Sequence, residues 1–230
     1  MNLLSRKAKA LDFASSGSEK LDELLDGGFP SGAITHLYGP SGTGKTNIAM
    51  FAAVSSTTSG KAIYLDTEGG FHLDRLRQIL PKPELAKNIL LKQLYSFKEQ
   101  KSIISQLQRF VDYKCRLIVL DSAVSLYRLE NSGSRNDMLD NSRELGRQMA
   151  QLSKIARQNQ VPIIVCNQVY ESFRKKGSVE PVGRDVMAYW SKTALELGRK
   201  GSSRWARLAR HPSKKAGEQS KFKIHNEGIR

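Results

Sequence analysis

Cysteine is scarce in this chain: Cys115 and Cys166 are the only two among 230 residues. Neither has a second Cys or a His at ligand spacing, which argues against a metal site and for buried free thiols. Long apolar runs are missing as well. None approaches the ~20 residues that a membrane-spanning helix needs. The start, Met1-Asn2-Leu3-Leu4-Ser5-Arg6-Lys7, has a basic element, but no apolar core or small-residue cleavage site follows it. The expectation is an intracellular, cytoplasmic protein with no membrane partner. No internal repeat or low-complexity tract is present, which argues against solenoids and disordered tails.

Acidic charge is the other deficit. Against 37 Lys and Arg stand 22 Asp and Glu, a formal charge of +15, more than solubility requires and a sign of a polyanionic partner. The excess lies late, where Arg199, Lys200, Arg204, Arg207, Arg210, Lys214, Lys215, Lys221, Lys223 and Arg230 face only Glu218 and Glu227. A solvated basic face without a partner would look the same.

What is present begins with Gly39-Pro40-Ser41-Gly42-Thr43-Gly44-Lys45-Thr46. This is Gly, four residues, Gly-Lys-Ser/Thr, preceded by the apolar run Ala33–Tyr38 and followed by the apolar, helix-compatible Asn47–Val54. Strand, loop and helix in that order are the context the phosphate-loop motif requires. Glycines let backbone N–H groups fold around phosphate oxygens, and the helix adds the positive end of its dipole. Lys45 would reach the β- and γ-phosphates of a nucleotide, and Thr46 would ligate Mg²⁺.

Further buried strands are expected at Ala62–Asp66, Ile89–Leu91, Leu117–Ser122 and Val161–Gln168. They alternate with helical apolar spacing at 73–80, 103–111 and 145–155, which implies a parallel sheet covered on both faces. The tail changes period: 194–197, 204–210 and 222–224 alternate every second residue, as half-exposed antiparallel strands do. The expected fold is therefore α/β, a mixed and mostly parallel central sheet with antiparallel C-terminal strands. Residues 1–14 form a lead-in, and 15–230 one core.

Asp121 ends the most apolar strand, where a phosphate-loop protein places an Asp that helps to hold Mg²⁺. Glu68 closes the strand after the phosphate-loop helix, on the edge where such sheets bind ligands, and can orient and deprotonate an attacking water. Gln168 ends a later strand at the same edge and can hydrogen-bond a γ-phosphate or that water. Strand-end carboxylates and amides are also common without any such role. Two stretches expected to be irregular leave this edge: Tyr127–Asn136, with Arg128 and Arg135, and Val169–Arg184, with Tyr170, Phe173, Arg174, Lys175, Lys176 and Arg184. Interleaved cations and aromatics suit single-stranded nucleic acid, because cations track phosphates and rings stack on bases. Ordinary loop composition gives a similar set.

Taken together, Ser15–Thr46, Leu65-Asp66-Thr67-Glu68-Gly69-Gly70-Phe71, Leu117–Ser122 and Asn167-Gln168-Val169 resemble the RecA-type recombinase core in its archaeal form. The short length and the ending, Arg207–Pro212 with Lys221–Ile229, are similar to the RadB family of short archaeal RadA paralogues. That resemblance implies a RecA-like ATPase core using ATP and Mg²⁺, in a DNA-binding accessory factor of homologous recombination and repair. It further implies weak ATPase activity, with a RadA-type recombinase and a Holliday-junction resolvase as partners. By motif match, Lys45 and Thr46 contact phosphate and Mg²⁺, Glu68 is the water-activating base, Asp121 the second Mg²⁺ residue and Gln168 the γ-phosphate sensor. The two irregular stretches correspond to the family's DNA-binding loops. RadA-type proteins polymerise through Phe-x-x-Ala ahead of the core, whereas the candidate here reads Phe13-Ala14-Ser15-Ser16, so a monomer or small homo-oligomer is expected. A KaiC-like signalling ATPase without DNA and an active RadA-like strand-exchange enzyme are the alternatives.

Overall fold

Alternate residues of the apolar strands face opposite sides of one sheet, and different helices cover the two sides. The computed structural model describes residues 13–130, 134–171, 179–201 and 203–230, apart from the side chains of Arg135, Glu171 and Val179. In chain order the first elements are β1 (Phe13–Ala14), α1 (Glu19–Leu24), β2 (Phe29–Pro30), β3 (Ile34–Tyr38), α2 (Lys45–Ser56), β4 (Lys61–Asp66), α3 (Leu73–Ile79), β5 (Ile89–Gln93) and α4 (Phe97–Gln106). There follow β6 (Cys115–Asp121), α5 (Ser125–Glu130), α6 (Arg135–Asn159), β7 (Ile163–Asn167), β8 (Val169–Glu171), β9 (Val179–Pro181), α7 (Arg184–Trp190), β10 (Thr193–Lys200), β11 (Ser203–Arg210) and β12 (Gln219–Phe222).

The central sheet runs β12-β11-β10-β3-β7-β6-β4-β5. Every neighbouring pair from β10 to β5 is parallel, and only β10/β11 and β11/β12 are antiparallel. The first tail strand, expected to be antiparallel, thus pairs parallel with β3 on one side and antiparallel with β11 on the other. Leu117 and Val119 of β6 turn toward α1, α2 and α3, in one core with Leu37, Tyr64, Ile164 and Cys166. Ile118 and Leu120 turn the other way, toward α4 to α7, with Ile34, Ile63, Leu65 and Val165. Period-two alternation within continuously apolar strands is what a sheet buried on both faces demands.

The described parts of both stretches expected to be irregular carry regular structure. Tyr127–Asn136 is helical up to Glu130 and again from Arg135. Leu126 and Tyr127 are buried in the second core, and Ser134 caps α6 reciprocally with Asp137, whose backbone N–H it accepts at 3.3 Å. In Val169–Arg184, β8 and β9 form an antiparallel pair, Val169 opposite Pro181 and Tyr170 opposite Glu180, and Arg184 opens α7. Polar composition concealed a capping box and an antiparallel strand pair. Among the described residues no helix is long and apolar enough to cross a membrane.

Candidate nucleotide site at the carboxyl edge of the sheet

Residues 39–46 connect β3 to α2, and two glycines there have no substitute. A Cβ on Gly39 would lie 2.3 Å from the Leu197 carbonyl oxygen of β10, and one on Gly44, which caps α2 at φ 107°, would lie 2.7 Å from Ile224 Cδ1. The loop is thus pressed against the C-terminal strands, and Ser41, Gly42 and Gly44 line the cleft. Lys45 lies back over the loop, its Nζ donating to the Gly39 carbonyl at 2.8 Å and to Pro40 at 3.0 Å. Thr43 Oγ1 donates to the same Pro40 oxygen at 2.8 Å.

The β4 and β6 ends meet this loop. Asp121 is 2 % exposed; burial raises its carboxyl pKa, while hydrogen bonds with Thr46 and Tyr64 oppose the rise. Tyr64 donates its hydroxyl to Asp121 Oδ2 at 2.8 Å. Asp66, one register step across on β4, is also buried, and its carboxylate accepts the backbone N–H groups of Glu68 (3.2 Å), Gly70 (3.2 Å) and Phe71 (3.1 Å). That carboxylate-to-backbone turn holds Glu68 out over the cleft. Glu68 is exposed, and Gln168 Nε2 donates to its Oε1 at 2.9 Å while Arg128 Nη1 donates to Gln168 Oε1 at 2.8 Å.

These residues enclose a cleft of about 290 Å³ whose lining includes Ser41, Lys45, Thr46, Glu68, Gln168 and Arg204. Arg204 Nε is buried without a partner, and Arg199 also lines the cleft. Glycine amides, Lys45 and two arginines fit a polyphosphate, and the Thr46 hydroxyl beside the Asp121 carboxyl offers the hard oxygens that Mg²⁺ prefers. A larger hollow of about 870 Å³ lies under α1 but is lined by Glu19, Asp22, Glu23 and Asp26, the wrong charge for phosphate. Among the described residues no cluster of His, Cys, Asp and Glu could hold a metal by itself, so Thr46 and Asp121 would need the phosphates as co-ligands.

The Rad51 family model matches residues 7–230. The DNA repair and recombination protein RadB of Methanosphaera stadtmanae is 39 % identical over 220 residues, covering 92 % of this chain and 93 % of the relative. The chain belongs to the RadB branch of the Rad51 family. RadB of Methanocaldococcus jannaschii is 37 % identical over 212 residues, 91 % of this chain and 98 % of the relative. A crystal structure of the RadB recombinase superposes with a TM-score of 0.80 at 34 % identity, covering 94 % of this chain and 98 % of that one. As a RadB-family chain it is a RecA-like DNA repair and recombination protein, and both the fold and the recognition read from its motifs hold.

Of the residues expected to touch DNA, Tyr170 and Arg184 meet at Glu180. Arg128 is exposed on α5 but engaged by Gln168, and Arg135 is the first residue of α6. Tyr170 is 41 % exposed on β8, its hydroxyl 3.4 Å from Glu180 Oε2. Arg184 pairs with the same Glu180 oxygen at 3.3 Å, so Glu180 offsets part of its charge. Phe173, Arg174, Lys175 and Lys176 lie outside the described residues. Sequence reasoning missed four site residues. Arg199 and Arg204 had been counted only as tail charge; the pairing of β10 with β3 brings them to the cleft. Asp66 and Tyr64 had been read only as strand residues, although Asp before Thr-Glu-Gly-Gly is itself a turn signal.

Proposed function

We propose that this RadB-family chain is an ATP-binding, DNA-binding accessory protein of homologous recombination and repair, with weak Mg²⁺-dependent ATPase activity. The observation that carries the reading is the convergence of Lys45, Thr46, Asp121, Glu68 and Gln168 on one cleft at the carboxyl edge of the sheet. The amides of 39–46 would cradle the phosphates, and Lys45 would exchange its two loop carbonyls for phosphate oxygens, a stronger, charge-assisted contact. Bound Mg²⁺ would neutralise developing phosphate charge, held through Thr46 and Asp121. Glu68, exposed and aimed over the cleft by Asp66, would take the proton of the attacking water, and Gln168 would report the γ-phosphate to Arg128 and the DNA-facing segments. Arg128, Arg135, Tyr170, Phe173, Arg174, Lys175, Lys176 and Arg184 are the DNA contacts of this reading, with a RadA-type recombinase and a Holliday-junction resolvase as protein partners.

One observation supports an accessory rather than a filament-forming role. The only Phe-x-x-Ala-like segment is engaged by its own chain: Phe13 and Ala14 pair with Pro30 and Phe29, and Ala14 is buried in the first core. The test combines calorimetry of Mg·ATP binding with single-stranded DNA affinity at several salt concentrations. Both ligands should bind, and the log of DNA affinity should fall linearly with the log of salt. A chain that binds ATP but no DNA would favour the signalling-ATPase alternative, and one that binds neither would refute the reading.

A further inference from the structure

Tyr64 is a hydroxyl in a place where a phenyl ring would pack as well. It lies mid-strand in β4, fully buried at 0 % exposure, among Ala62, Val119 and Ile164 of the first core. Burying a phenolic hydroxyl away from water costs stability unless it finds a partner, so its bond to a specific acceptor needs a reason. The acceptor is Asp121 Oδ2, at 2.8 Å.

A carboxylate on a strand end has a soft final torsion. The χ2 angle of Asp has broad, two-fold wells, so packing alone does not fix the plane of its oxygens. Here the phenol holds one oxygen, and the tyrosine is itself held. Its ring meets Phe71 edge-on, centroids 4.7 Å apart and planes at 67°, and Phe71 is fixed through its backbone N–H to Asp66 at 3.1 Å. One side chain therefore joins the turn that carries Glu68 to the carboxyl beside Thr46. Groups that hold a metal ligand from behind set its orientation, and removing them typically costs 10- to 100-fold in metal affinity or activity.

We propose that Tyr64 is a positioning residue for Mg²⁺ use: its hydroxyl fixes the Asp121 carboxylate in the orientation that holds the metal of Mg·ATP. This inference rests on the reading of the cleft as a nucleotide site. ATP affinity is measured by calorimetry across a Mg²⁺ series and in EDTA, for the wild type and for Tyr64→Phe, Asp121→Asn and Phe71→Leu. In Tyr64→Phe the ring and its packing stay, so affinity in EDTA should match the wild type while the half-saturating Mg²⁺ concentration rises about tenfold or more. Asp121→Asn should raise it at least as far. Phe71→Leu, which loosens the ring but keeps the hydroxyl bond, should leave it within about twofold.

An unmoved Mg²⁺ midpoint in Tyr64→Phe beside a raised one in Asp121→Asn overturns the role of Tyr64 and leaves the nucleotide site standing. Equal losses with Mg²⁺ and in EDTA would make the tyrosine a support of the cleft as a whole, which also overturns the proposal. If Asp121→Asn too leaves the midpoint unmoved, the metal assignment itself falls, and the proposal with it.

Discussion

The floor and the wall of the cleft are built on opposite principles. On the floor, Asp121 and Asp66 are sealed at 2 % and 1 % exposure, each held by hydrogen bonds from a hydroxyl or from backbone N–H groups. Along the wall, Glu68 and Arg128 are exposed and Gln168 is half-buried, joined only by a chain of side-chain bonds. Buried, fully bonded groups are preorganised and resist rearrangement, whereas exposed polar contacts are individually weak and exchange readily with water or ligand. A floor that keeps its geometry and a wall whose contacts exchange readily are what the proposed ATP response would need.

Glu68→Gln addresses the wall and should give the largest effect. The amide keeps the shape, so ATP should still bind, but loss of the general base should slow single-turnover hydrolysis by about 10²–10⁴-fold. An unaltered rate would move the base elsewhere. Lys45→Ala addresses the floor: ATP affinity should drop about tenfold to a hundredfold, the worth of about 1.5–3 kcal/mol for hydrogen bonds to a charged group. The fold should survive, because the lysine serves its loop and the ligand, and unchanged calorimetric affinity would contradict the assignment.

The strand beneath the floor carries its own pH signature. His36 on β3 is 3 % exposed, its Nε2 has no partner, and burial together with the Arg210 charge lowers its pKa to about 3. The unfolded chain takes up a proton below the ordinary value of 6.5 and the folded one does not, so the stability present above pH 6.5 is lost as pH falls toward 3. Between pH 7 and 5 the loss should be about 2 kcal/mol. In denaturant titrations His36→Leu should lack most of this slope; an identical slope in both proteins would place the titration elsewhere.

The smallest effect belongs to the outer wall. Arg128→Ala should weaken single-stranded DNA binding a few-fold and reduce the salt slope by about 0.7, the value of one phosphate contact on a single strand. Reversing Arg174, Lys175 and Lys176 together to Glu should flatten the slope further. If slope and affinity survive that triple change, the second loop is not the contact and the basic tail becomes the leading candidate.

The floor was legible in part: the phosphate loop and Asp121 are local to motifs, whereas Asp66 and Tyr64 read only as strand residues. Residues 39–46 carry their own context, and Asp121 follows four apolar residues that could only be a buried strand. The wall was legible residue by residue, but not as a connected chain. The bonds from Glu68 to Gln168 and from Gln168 to Arg128 join positions 100 and 40 apart in sequence, and their meeting depends on strand order. The same holds for Arg199 and Arg204, which read only as tail charge in the sequence, while strand order brings both to the lining of the cleft. Composition misled only where polar residues were capping a helix, at Ser134 and Asp137, or lay in the paired strands 169–171 and 179–181.

Assembly is where the account is most exposed. A chain whose Phe13–Ala14 segment is paired with its own Phe29–Pro30 should join subunits poorly. Light scattering combined with ATPase rates, each measured with and without single-stranded DNA, tests this directly. The account predicts a monomer or small oligomer that hydrolyses ATP slowly and is stimulated little by DNA. Long filaments with strong DNA stimulation would contradict it and mark an autonomous recombinase.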